Sequence, residues 1–183
     1  MPSPVATASA SPGPGLVIGP LAAGTYHVTE MSPAFTITVP AGFTLRVHTS
    51  DTFYVTTGPS ANAPEFAVIL PFGHYGVIKA LEGSSTFQVS APVAVKVGGL
   101  DGRAIDLELP KLSSKATPAP DWQLALFQRA SDGELWFVEP DRKIHLIELT
   151  AGDGTVVITY DASTAEYAAF EQLVEPMIAS IVF

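Results

Sequence analysis

Short β-prone runs, each closed by a glycine or proline signal, recur from Thr25 to Tyr160, and this recurrence constrains the fold more than any other feature. Phe35-Thr36-Ile37-Thr38-Val39 alternates strictly and stops at Pro40-Ala41-Gly42, where proline withholds a ladder donor and glycine accepts a positive φ. Thr25–Thr29, Leu45–His48, Phe53–Thr56 and Phe66–Leu70 extend the series. Val93, Val95 and Val97 alternate with Ala94 and Lys96, and Ile105, Leu107 and Leu109 alternate with Asp106 and Glu108. Between them Gly98-Gly99-Leu100-Asp101-Gly102 reads as the turn of a hairpin. Gln123–Gln128, Leu135–Val138, Ile144–Leu149 and the Val156, Ile158, Tyr160 alternation follow, with Asp-Gly turns at Asp132-Gly133 and Asp153-Gly154. The pattern predicts an α+β domain: antiparallel sheet of roughly nine to eleven short strands, completed by a C-terminal helix and a terminal strand.

The helix is read from the last twenty-one residues. Ser163-Thr164-Ala165-Glu166 matches a capping box, and Tyr167, Phe170, Val174, Met177 and Ile178 recur at helical spacing as an apolar stripe. Pro176 lies within that stripe, so the helix must kink or end near it. Ile181-Val182-Phe183 is apolar and β-prone, a strand for the core. A second, short helix is expected near Gly76–Leu81, stopped by Gly83, and 58–64 and 111–121 read as surface loops.

The first eighteen residues are of another kind. Met1 to Pro20 holds five prolines and three glycines among Ala, Ser and Thr, with little to bury, so residues 1–18 read as an extended tether and 19–183 as one globular domain. No basic and apolar signal-peptide pattern stands there. Such a tether is what an excised secretion or lipid-anchor signal leaves behind; a flexible tail on a cytosolic protein is the other reading. No apolar run approaches the length of a membrane-spanning helix.

Charge narrows the partners. With 9 basic and 18 acidic residues the net charge is −9, which offers no attractive field to nucleic acid or anionic lipid heads. Apolar residues make up 47% of the chain, enough for a core. The absence of cysteine removes disulfides, thiolate metal sites and a cysteine nucleophile together. His27, His48, His74 and His145 show no metal-ligand spacing, although His27 and His48 fall on strands that could be neighbours. No metal and no cofactor is expected. There is no G-x-S-x-G elbow, and Gly98–Gly102 leads into a strand rather than the helix that a nucleotide fingerprint requires.

Two places stand out as candidate ligand contacts. Trp122, Phe127 and Trp136 fall in adjacent predicted strands and, on one concave face, would suit a sugar or lipidic ligand; burial in the core is the competing reading. His74 and Tyr75 sit in the loop Pro71-Phe72-Gly73-His74-Tyr75-Gly76, where aromatic and glycine residues mix.

Several stretches are familiar. Pro20-Leu21-Ala22-Ala23-Gly24-Thr25-Tyr26 with Phe35-Thr36-Ile37-Thr38-Val39-Pro40-Ala41-Gly42-Phe43, then Val93–Asp106 (VAVKVGGLDGRAID), then Phe170–Phe183, together resemble an uncharacterised family of secreted proteins and lipoproteins, chiefly actinobacterial and chloroflexal. That family usually has Trp where this chain has Phe43. The opening strand and closing helix–strand are also similar to PsbP-like extrinsic proteins. The resemblance implies an exported or lipid-anchored extracytoplasmic domain and carries over no site residues.

Three functions remain open. The first is non-enzymatic binding of a small ligand or protein partner at the cell envelope. The second is a hydrolase of envelope or extracellular substrates with a site assembled from scattered residues. The third is a structural or assembly subunit of a larger complex. A pocket holding a His within hydrogen-bond reach of a Ser or carboxylate would favour the hydrolase; an apolar groove lined by Trp122 and Trp136 without titratable pairs would favour binding.

Overall fold

In the computed structural model the structure describes residues 15–60, 62–71, 76–83, 87–108, 124–128, 135–138 and 141–183, with only the backbone described for 124–128 and 135–138. Among these, the strands are β1 (Gly19–Pro20), β2 (Gly24–Val28), β3 (Phe35–Val39), β4 (Thr44–His48), β5 (Thr52–Thr56), β6 (Glu65–Ile69), β7 (Gln88–Val89), β8 (Val93–Val97), β9 (Leu100–Glu108), β10 (Leu124–Gln128), β11 (Leu135–Val138), β12 (Arg142–Ala151) and β13 (Gly154–Ser163). The helices are α1 (Val77–Glu82) and α2 (Tyr167–Ala179). The large sheet runs β1-β4-β5-β6-β13-β12-β9-β7, with β8 paired to β9. Hairpins β2–β3 and β10–β11 form two small sheets. All the pairings are antiparallel, so the expected α+β architecture is the one observed.

The sheet is covered on both faces, which explains why its central strands carry apolar residues at consecutive positions. Ile144, Leu146, Ile105, Leu107 and Val157 pack with Val77, Ile78 and Leu81 of α1. Ile147, Leu149, Val156, Ile158, Tyr160 and Ala162 point the opposite way, into the main core with Phe170, Val174 and Met177 of α2. The β2–β3 hairpin belongs to that second layer through Tyr26, Val28, Phe35, Ile37 and Val39. A glutamate secures the short α1: the Ile78 amide donates to Glu148 Oε2 at 2.9 Å.

Several local expectations need correction. The β8–β9 turn is tighter than Gly98–Gly102. Gly98 and Gly99, at φ +58° and +92°, make the reversal alone, and β9 begins at Leu100. Gly102 serves a different purpose, because a Cβ there would stand 2.2 Å from the Glu148 carbonyl oxygen, so only glycine lets β9 approach β12 so closely. Likewise Gly152 and Asp153 form the last hairpin turn and Gly154 already belongs to β13.

The capping box does not form. Ser163 is the last residue of β13, its hydroxyl donates to the Glu166 carboxylate at 2.6 Å, and α2 starts one residue beyond Glu166 without a side-chain cap. Pro176 lies inside α2, which continues through Ala179. The terminal strand is reduced to two bridges: Val182 exchanges amide–carbonyl bonds with Thr36 and lies beside Gly98. Ile181 is buried, whereas Val182 is 59% exposed. This ending links the β2–β3 hairpin to the end of β8. Gly98 is needed again there, since a Cβ would meet the Phe183 ring at 2.6 Å.

One ionic cluster is buried on the α1 side. Arg142 bonds the Asp161 carboxylate and also donates to the carbonyls of Asn62, Ala63 and Asp161 at 3.0, 3.1 and 3.2 Å. Tyr54 donates to Glu65, which also neighbours Asp161. Burial, followed by the charge of Glu65, pushes the Asp161 carboxyl well above its ordinary range despite Arg142. A folded-state pKa raised above the unfolded one means that the native state holds the extra proton. This contribution is greatest below the unfolded pKa and is lost as pH rises through the folded one. The melting temperature is therefore expected to fall from pH 4 toward pH 8, with a shallower slope in Glu65→Gln; parallel curves for the two proteins would contradict the coupling.

Candidate functional site

The register of three strands builds the site. The β12–β13 pairing sets His145 opposite Tyr160, and the β9–β12 pairing sets His145 opposite Asp106. Asp106, His145 and Tyr160 thus form one row across the sheet, on the α2 face. His145 Nδ1 lies 2.8 Å from Asp106 Oδ1, which leaves Nε2 for other partners. The imidazole stacks on Tyr160 with ring centres 5.0 Å apart, and Tyr160 stacks on Tyr167 at 5.8 Å. Tyr160 donates to Glu171 Oε1 at 3.2 Å, which ties the row to α2.

Beside this row a groove of about 450 Å³ opens between α2 and the sheet. Val95, Val97, Ile147 and Ile178 supply its apolar lining, and His145, Tyr160, Glu171, Glu175 and Lys96 supply its polar groups. Its size suits a small ligand. Burial, Tyr167 and the charge of Glu171 push the Tyr160 phenol far above its ordinary value. The Tyr167 phenol is raised too, by burial first and by the nearby carboxylates of Asp106 and Glu171. Both hydroxyls stay protonated near neutral pH and serve as hydrogen-bond donors or acceptors, not as bases.

The chemistry available is limited by what lines the groove. An Asp-bound histidine is a general-base arrangement, yet none of the lining residues is Ser, Thr or Cys. Acyl transfer through a serine, threonine or cysteine nucleophile therefore has no acceptor atom among the described lining residues. Glu171 and Glu175, one helical turn apart, stand on the same wall, whereas the two carboxylates of a glycosidase flank the scissile bond from opposite sides.

Of the residues picked from the sequence, only the backbone of Phe127 and of Trp136 is described. Trp122, His74 and Tyr75 are outside the described residues. Phe127 and Trp136 are direct register partners in β10–β11, and β10 lies beside α1, across the sheet from the groove. His27 and His48 are not strand neighbours, because β2 pairs β3 whereas β4 lies between β1 and β5; His48 instead faces Glu30 at 3.0 Å. Among the described residues no three His, Asp or Glu side chains are grouped to hold a metal. No described helix is long and apolar enough to cross a membrane.

The groove residues His145, Tyr160, Glu171 and Glu175 were not picked out. The signal for His145 and Tyr160 lies in the Gly152-Asp153 turn: counting outward from it pairs Ala151 with Gly154 and, six steps on, His145 with Tyr160, whereas nothing local marks Glu171 and Glu175.

Comparison with protein-family profiles and with curated proteins gives no match. Among solved structures, the chain is similar to LpqN, a protein involved in cell envelope biogenesis of Mycobacterium tuberculosis. The TM-score is 0.50 and the identity 14%, over 86% of this chain and 89% of that one. A Bacteroides thetaiotaomicron structure matches with a TM-score of 0.43 and 11% identity, over 80% of this chain; the chain spans 44% of that protein. The LpqN likeness is one of fold.

Proposed function

We propose that the chain is an extracytoplasmic, cell-envelope-associated domain that binds a small ligand in the groove between α2 and the sheet. The observation that carries this reading is the groove itself: a cavity of small-ligand size with an apolar lining and polar groups held in place by the Asp106–His145–Tyr160 row. The fold shared with LpqN, an envelope-biogenesis protein, supports the location. So do the resemblance to the secreted and lipoprotein family and the Pro/Ala/Ser-rich segment 1–18, proposed as a tether in front of the domain 19–183. Trp122, Phe127 and Trp136, with His74 and Tyr75, are kept as a proposed second contact surface, supported by the Phe127–Trp136 register pairing.

Titration with 1-hexanol, followed by the methyl resonances of Val95, Val97, Ile147 and Ile178, tests the groove. Saturable shifts confined to these residues are expected; shifts scattered over the surface contradict the reading. A second reading is favoured by one observation, the bond between His145 and Asp106. In that reading His145 activates water for a hydrolysis. The binding reading expects p-nitrophenyl butyrate to turn over equally slowly with the domain and with His145→Asn, and a His145-dependent rate would make the site a hydrolase.

A further inference from the structure

We infer that the ligand of this groove is a small organic cation, an ammonium or guanidinium group on a hydrocarbon body. The inference rests on the groove being the binding site and adds the charge of what it takes.

Three basic groups stand at or beside the groove, and each already has a carboxylate of its own. Lys96 pairs with Asp101 at 3.1 Å, His145 with Asp106 at 2.8 Å, and Lys143 with Glu108. The two lining glutamates are less fully neutralised: Glu171 feels the charge of Lys143, but that ammonium is bonded to Glu108. Glu171 accepts from the uncharged Tyr160 hydroxyl, and among the described residues neither Glu171 nor Glu175 forms an ion pair. They lie four residues apart on one helix, the spacing at which like charges repel.

The backbone adds to the same sign. Ile178 and Ala179, in the last turn of α2, also line the groove, and that turn carries no basic residue. A helix C-terminus presents the negative pole of the macrodipole and favours a cation nearby. Two carboxylates without a bonded cation, a helix C-terminus and an apolar wall thus meet in one cavity. A cationic head near Glu175 would relieve the repulsion, while Val95, Val97, Ile147 and Ile178 take the hydrocarbon.

The test compares hexylammonium, 1-hexanol and hexanoate by the same methyl titration at low salt. Hexylammonium is expected to bind about three- to tenfold more tightly than hexanol, the scale of one or two partly exposed charge pairs. Hexanoate is expected to be the weakest of the three. The preference should collapse toward unity in 0.5 M salt and in Glu175→Gln, an exposed position where the fold is not at stake; Glu171→Gln provides a second, independent variant. Equal affinities for hexylammonium and hexanol, unchanged in both variants, would overturn the cation while leaving the groove as the site. Failure of all three probes to shift the groove methyls would overturn the binding site as well.

Discussion

Arg142→Ala is expected to cost about 3–5 kcal/mol of folding stability near pH 7, the usual loss when one member of a buried ion pair is removed. The side chain is 7% exposed and its guanidinium serves three backbone carbonyls besides the Asp161 carboxylate. Alanine leaves those carbonyls and the 4% exposed Asp161 without the donors that justify their burial. The loss should be smaller at pH 5 than at pH 7, because burial and the charge of Glu65 favour the protonated Asp161 carboxyl and removal of Arg142 favours it further. Urea unfolding at both pH values checks this; a loss below 1 kcal/mol at pH 7 would show that the ion pair is not the anchor of the loop at 57–64. The double replacement Arg142→Met with Asp161→Leu removes both charges and should recover only the part of the loss that comes from the unpaired anion, because the three carbonyls stay without donors.

Phe53→Ala is expected to cost about 3–5 kcal/mol as a large-to-small change in a closed core. Phe53 is fully buried on β5 and meets Phe35 of β3 edge-on at 6.0 Å, and Phe35 in turn meets Phe183 at 5.7 Å. This ring chain joins the β2–β3 hairpin and the chain terminus to the large sheet. The substitution should therefore loosen the bridge between Thr36 and Val182 before the rest of the fold. Hydrogen exchange at those two amides should accelerate more than at the β12–β13 ladder. Uniform acceleration would mean that the hairpin is held by its other contacts. A double-mutant cycle with Phe35→Ala should return a coupling of about 0.5–1.5 kcal/mol for the edge-on pair.

These two positions also show what was legible in the sequence. Phe35 and Phe53 stand in runs whose alternation and turn residues mark strands, and β3 and β5 appear as expected, the latter with Thr52 added. Local signals of this kind act over a few residues, which is why the strands, the short α1 and the apolar stripe of α2 could be read. The capping box failed because β13 runs on to Ser163, a consequence of ladder pairing that no four-residue motif records. The site was the least legible part. Asp106, His145, Tyr160 and Glu171 come from β9, β12, β13 and α2, and only the register and the crossing helix bring them together. Aromatic composition instead drew the reading to Phe127 and Trp136, which share a hairpin beside the other helix.

The groove between α2 and the sheet is the centre of the functional reading, and blocking it is the most direct challenge. Ala179 is exposed and lines the groove at the last turn of α2, so Ala179→Trp can fill the cavity without entering the core. The measurement is the hexanol titration of the Val95, Val97, Ile147 and Ile178 methyls, repeated on this variant at matched thermal stability. The shifts are expected to disappear; the same saturable shifts with the same affinity in Ala179→Trp would mean that the ligand does not sit in this groove.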